Sequence, residues 1–270
     1  MRNKTIVFLS FPLLLLLIIV SCVGLFTPAF YSLETLNWQA QSMGQDFVDL
    51  FFIAPFLAIS SVFAYRNNRV ATMIWGGVVI YLNYTFVLYC FDVHFNKLFL
   101  LYCIGLGLSF YSLIYFLFSH VTKFKEQIDD HKPVTRFIGI YLIIVAVLFY
   151  GLWLAEVLPA SFHEMTPKSV TDAGLFTNGV HVIDLSVILP AIFIIGIFLL
   201  KKISYGYFLA PAILTFIILM DITIGSLVII MSMKGIESNL VLAVIMYLLA
   251  FFSLSLLIWY FKSFKNAFPK

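Results

Sequence analysis

Residues 180–200 read VHVIDLSVILPAIFIIGIFLL. At 1.5 Å per residue these 21 positions cover the roughly 30 Å of a bilayer's hydrocarbon core, and beyond Asp184 the run carries no charge and no polar face. Such a helix has no wet side. Seven further runs of the same kind lie at 5–27, 47–65, 70–91, 96–118, 136–157, 205–232 and 239–261, so the sequence predicts eight transmembrane helices. Composition agrees: 63% of the 270 residues are hydrophobic and only 11% charged, with a mean hydropathy of +1.06, against roughly 25% charged in soluble domains. A soluble enzyme, a nucleic-acid binder and a disordered scaffold are excluded. The expected fold is an all-α polytopic membrane bundle whose main partner is the lipid bilayer.

An even number of spans puts both termini on one side. Placing that side in the cytoplasm puts 13 of the 16 basic residues inside, among them Arg66, Arg69, Lys123, Lys125, Lys132, Lys201, Lys202, Lys265 and Lys270. Only Lys97, Lys168 and Lys234 are left outside, as the positive-inside rule requires for short loops. Of the acids, only Glu126, Asp129 and Asp130 fall inside. A pI near 8.6 therefore reports a basic inner face and gives no sign of nucleic-acid binding. Ile19-Val20-Ser21-Cys22 has the form of a lipoprotein cleavage box, but the apolar run continues through Leu25 and Phe26, which favours a retained first span. Cys22, Cys90 and Cys103 form no CxxC pair and read as small apolar residues.

The opening stretch has a counterpart. Residues 45–65 read QDFVDLFFIAPFLAISSVFAY, and at an offset of 135 residues Asp49-Leu50, Pro55 and Arg66 fall on Asp184-Leu185, Pro190 and Lys201. Pro28 and Pro159 are expected to follow the helices preceding these spans. Half the chain length is the repeat period, which predicts two fused four-helix repeats, 1–135 and 136–270. Because four spans are even, the two insert in parallel, an arrangement in which transporters place their sites between the repeats.

The offset aligns Asp46 with His181 and Asp49 with Asp184. Residues three apart share a helix face, so two such pairs would present three carboxylates and an imidazole. That set suits a cation, a divalent metal held by Asp46, Asp49, His181 and Asp184, or a proton relay. The competing reading makes the acids helix-start residues that satisfy free N–H groups. Gln45 and Asn178 join the same membrane face as binding candidates, with Asn83, Tyr84, Asp92, His94 and Asn96 nearby. Asp92 and Asn96 have the look of turn residues and His94 of a solvated loop residue. Glu156 ends span five, and a loop of about twenty residues holding His163, Glu164 and Asp172 is placed to cover the site. Trp38, Phe30 and Tyr31 read as an interfacial belt, and Gly105 and Gly107 as places of close helix approach. Asp221, near the middle of span seven, costs roughly 2.5–3.5 kcal/mol there and is expected to couple protonation or gating below the pocket.

GQDFVDL and TNGVHVIDLSVILPA resemble segments of a family of bacterial multi-pass membrane proteins of unknown function, in which GQD and NxVHxxD recur. The resemblance singles out Gly44, Gln45, Asp46, Asn178, His181 and Asp184 and implies no reaction. P-loop, HExxH, GxSxG, arginine-array and TVGYG patterns are all missing from the sequence. The expectation is an integral protein of the cell membrane whose outward-facing pocket binds a cation or small polar solute in the manner of a transporter. A metal-dependent enzyme of the outer leaflet and a non-catalytic scaffold are the alternatives, and the sequence leaves the oligomeric state open.

Overall fold

A computed structural model describes residues 3–122 and 133–264. The expected basic and acidic inner-face residues Arg2, Lys123, Lys125, Glu126, Asp129, Asp130, Lys132, Lys265 and Lys270 lie outside them. Among the described residues the regular structure is helical, with no strand. Eight helices are long and apolar enough to cross a membrane: α1 (Lys4–Phe26), α2 (Leu36–Tyr65), α3 (Arg69–Phe91), α4 (Phe99–Val121), α5 (Pro133–Phe162), α7 (Gly179–Leu200), α8 (Ser204–Met233) and α9 (Leu240–Ser263). A short helix, α6 (Lys168–Ala173), lies in the loop before α7.

Two of the spans outrun their apolar segments. The α2 helix begins at Leu36 rather than near residue 47, capped by the Thr35 hydroxyl on the Trp38 N–H. Its first turns, LNWQAQSMGQD, are too polar to register as membrane-crossing, yet 30 residues give a helix of about 45 Å, longer than the hydrocarbon core. Asp46 and Asp49 consequently sit well inside the helix, not at its start. Likewise α5 runs on through Pro159, which lies inside the helix, whereas Pro28 follows α1.

A single π-type turn interrupts α2 at Asp49–Ile53 and α7 at Asp184–Ile188. In each, the N–H five residues on, that of Ala54 or Leu189, bonds the aspartate's own carbonyl, and a proline follows at once, Pro55 or Pro190. Proline has no N–H for the carbonyl four residues back and crowds it; the wider turn relieves that crowding. These two interruptions stand at the 135-residue offset; a third, Leu117–Val121 at the end of α4, has no such counterpart in α9.

Neighbour relations also match between the halves. Within the first, α1 packs on α2 and α4, α2 on α3, and α3 on α4; within the second, α5 packs on α7 and α9, α7 on α8, and α8 on α9. Across the middle, α3 lies on α8, and α2 also reaches α8. These two inner helices, α3 and α8, are the most enclosed of the eight spans.

Small residues set the inner crossing. A Cβ on Gly77 of α3 would stand 2.3 Å from the Ala212 carbonyl oxygen of α8. Gly139 and Gly196 similarly bring the α5 and α7 backbones together, each facing the other's carbonyl. Of the two glycines singled out on α4, Gly105 makes room for the Phe86 ring, whereas Gly107 faces nothing within 4 Å. We expect Gly77→Ala to cost roughly 1–3 kcal/mol, because the obstacle is backbone, while Gly107→Ala is neutral to slightly stabilising. Thermal denaturation in lipid nanodiscs checks both.

Candidate functional site

Asp46 and Asp49 are both fully buried. The Asp46 carboxyl accepts from the Tyr31 hydroxyl at 2.6 Å and, on its other oxygen, from the Tyr89 hydroxyl at 2.6 Å. Tyr89 also lies 3.3 Å from Asp49, whose second oxygen accepts from Gln45 Nε2 at 3.0 Å and the Tyr81 hydroxyl at 3.1 Å. Tyr81 continues to Thr223 of α8 at 2.8 Å. One hydrogen-bonded chain thus runs from the loop after α1, through α2 and α3, to α8. Gly24 makes room for it, since a Cβ there would fall 1.8 Å from the Asp46 carboxyl. Among the described residues no lysine or arginine pairs with either acid; every donor is a neutral phenol or amide.

Beside this chain, at the end of the bundle away from the termini, opens a cavity of about 480 Å³. Its polar wall includes Gln45, Tyr89, Thr223, Asn178, His181 and Asp184. The His181 ring packs on Trp153 with centroids 4.7 Å apart, and Trp153 Nε1 donates to Asp184 at 2.8 Å. His181 Nε2 is buried without a hydrogen-bond partner and stands 3.8 Å from a Glu156 oxygen. Asn178 caps α7, its side-chain oxygen accepting from the Val180 N–H at 2.9 Å. Apolar groups from α5, α8 and α9, among them Phe149, Ile224, Val228 and Leu242, complete the wall. Gly44 lets α2 approach α8 beside it, where a Cβ would meet the Leu227 backbone at 3.2 Å. The loop expected to cover the site does contribute, for Ser169, Asp172 and Ala173 of α6 line the cavity, and the Ser169 N–H bonds Glu156 at 2.9 Å.

The seven sequence candidates therefore separate. Gln45, Asn178, His181 and Asp184 share the cavity; Asp46 and Asp49 lie behind its Tyr89 wall; Asp221 belongs to neither. Asp221 is 4% exposed, lines no part of the cavity, and has one carboxyl oxygen without a partner. Among the described residues, no group of three or more His, Cys, Asp and Glu is arranged to hold a metal ion, and the donors proposed for one are divided between the two places.

Two outer residues read as ordinary turn or loop residues have specific partners. The Asp92 carboxyl, 3% exposed, accepts the Gly179 N–H at the start of α7 at 3.0 Å, while its carbonyl accepts Trp38 Nε1 at 2.5 Å. His94 is held by Glu34, which accepts from its backbone N–H and contacts its ring Nδ1, each at 2.8 Å. Tyr81, Tyr89 and Trp153 escaped sequence reading, although Tyr81, Thr85 and Tyr89 mark one helical face at intervals of four.

No protein-family model, curated protein or solved structure matches this chain.

Burial raises the Asp92 carboxyl to about 6, against the opposing pull of the Gly179 N–H. An unfolded aspartate titrates near ~3.9, so between pH ~4 and ~6 the folded state binds more protons and stability falls as pH rises, then levels off. Asp92→Asn keeps an acceptor for Gly179 and removes the charge. Its melting temperature at pH 7 should equal or exceed wild type, and the slope between pH 4 and 6 should flatten; melts across that range check it. Tyr89→Phe deprives two buried acids of a shared donor and should destabilise by roughly 1–3 kcal/mol, read by the same measurement.

Proposed function

We propose that the protein is a transporter-type solute-binding protein of the cell membrane, with both termini cytoplasmic and the cavity facing outward, and that the cavity takes a small cation bearing N–H donors. The observation that carries this is the wall itself. Asp184 offers an acceptor beside the His181 ring, Asp172, paired with Lys168, and Glu237 line it as well, and among the described residues no lysine or arginine does. Aromatic side chains from Trp38, Tyr84, Tyr89 and Trp153 add faces that attract cations. We include in this reading the two fused repeats, 1–135 and 136–270; the π-type turns 135 residues apart and the matching neighbour relations support them.

The buried pair gives the cavity a second charge to work with. Gln45, Tyr89 and Thr223 each line the cavity and belong to the Asp46–Asp49 hydrogen-bond chain, so a rearrangement around the occupant is transmitted to it. Two carboxyls with only neutral donors are best accommodated with a proton between them, since an uncompensated buried charge is costly. Binding of a cation nearby favours release of that proton. In this reading Asp49, rather than Asp221, carries the coupling.

Calorimetric titration in nanodiscs at pH 7 tests the reading. Ethylammonium should bind at least tenfold tighter than acetate, and Asp184→Asn should weaken it at least tenfold. In weak buffer, binding should release protons in wild type and none in Asp49→Asn. Equal binding of acetate and ethylammonium, or indifference to Asp184→Asn, would sink it. One-to-one zinc binding that ethylammonium does not displace would instead support a divalent metal at His181 and Asp184.

A further inference from the structure

Helices α5 and α9 run antiparallel and touch toward the end that holds the termini. Phe137 meets Trp259 at 5.7 Å between ring centroids, Tyr141 meets Phe252 at 5.2 Å, and the Tyr141 hydroxyl bonds Ser253 at 2.6 Å. Moving outward from this seam, Trp153 lies 12 residues further along α5 and Leu242 lies 11 residues back along α9. At 1.5 Å per residue both stand roughly 16–18 Å above the seam, at one depth. There both side chains are wall of the cavity. Outward of the seam, then, both helices border the same cavity.

The outer flanks of this wedge face lipid. Leu148 and Leu152 on α5 and Val241, Val244 and Ile245 on α9 are all exposed. Inside the wedge the wall has an apolar part, with Leu242, Val228 and Phe149, and a polar part, with Asp184 and His181. A water-borne ion has no use for the first part, and a hydrocarbon has none for the second.

We propose that the cavity opens sideways into the bilayer between α5 and α9, and that its occupant is a long-chain primary amine, ammonium head at Asp184 beside the His181 and Trp153 rings, chain lying in the wedge. This rests on the cation-binding reading above and names the substrate class and route. Charge selects the head: a phosphate-bearing lipid would bring an anion to a wall that, among the described residues, has acids and no lysine or arginine. An amine dissolved in the membrane brings the complementary sign.

The test uses the full chain in nanodiscs and the fluorescence of Trp153, taken as the difference between wild type and Trp153→Phe. We expect 12-bromododecylamine to quench it saturably, with an apparent Kd at least tenfold below those of the brominated alcohol and fatty acid of equal length. Ile245→Trp, which narrows the wedge from its lipid side, should slow quenching at least fivefold without altering ethylammonium affinity. If ethylammonium binds and the bromoamine quenches no better than its alcohol, the proposal fails while the cation reading stands. If neither amine binds, both fail. Should Ile245→Trp not fold, Ile245→Ala must speed quenching, and an unchanged rate would overturn the lateral route.

Discussion

Two carboxyl groups sunk in an apolar bundle have to find hydrogen-bond donors inside the protein, because lipid offers none. Tyr89 meets that constraint for Asp46 and Asp49 together, and the surrounding architecture follows from holding it in place. Its hydroxyl sits 2.6 Å from one acid and 3.3 Å from the other, while Tyr102 of α4 stacks on its ring at 5.2 Å. Asp46 in turn needs Tyr31, which fixes the loop after α1, and needs Gly24, which vacates the space its carboxyl fills. Asp49 needs Tyr81, and through Thr223 that demand ties the first half of the chain to α8. Polar satisfaction, rather than apolar burial alone, specifies how these helices are rotated about their axes.

The same requirement explains how the outer loops interlock. Asp92, beyond α3, receives the first N–H of α7, and Thr35, at the start of α2, donates to the Ala173 carbonyl at the end of α6. Each bond joins one half to the other. A Cβ on Gly179 would lie 2.5 Å from the Asp92 carboxyl, so glycine at that position is what allows the loop and the helix start to meet. Ala173 and the start of α7, both at the cavity wall, are thereby held from the other half of the chain.

Much of the bundle was legible in the sequence, because twenty-residue apolar runs have few other uses and their number sets the topology. The start of α2 was not legible: LNWQAQSMGQD looks like loop until one knows that its polar face lines a cavity and its other side is covered by protein. Asp46 and Asp49 were visible as charges, but their donors were not, since tyrosine in an apolar helix is ordinarily a packing residue and only the third dimension brings Tyr31 within reach of Tyr89's partner. His181 and Asp184 were legible as a pair on one face. Trp153, which packs against the first and bonds the second, comes from another helix and carries no local signal. Asp221 was equally visible as a charge, and nothing in its neighbours along the chain shows that it turns away from the cavity.

At the offset of 135, Tyr89 falls on Ile224, Tyr81 on Phe216 and Asp46 on His181, while Asp49 and Asp184 keep their identity. The Asp and the following Pro at these two π-type turns recur at the offset, whereas Tyr81 and Tyr89, which enclose the first pair, align with apolar Phe216 and Ile224. That difference has a direct structural counterpart. In the first half the acids are closed in by Tyr31, Tyr81 and Tyr89 and have no exposed surface; in the second, Asp184 has Trp153 and the Tyr84 hydroxyl beside it and is half-buried at the cavity wall, with His181 next to it. One half closes its polar site with the protein's own phenols, and the corresponding site in the other borders the cavity.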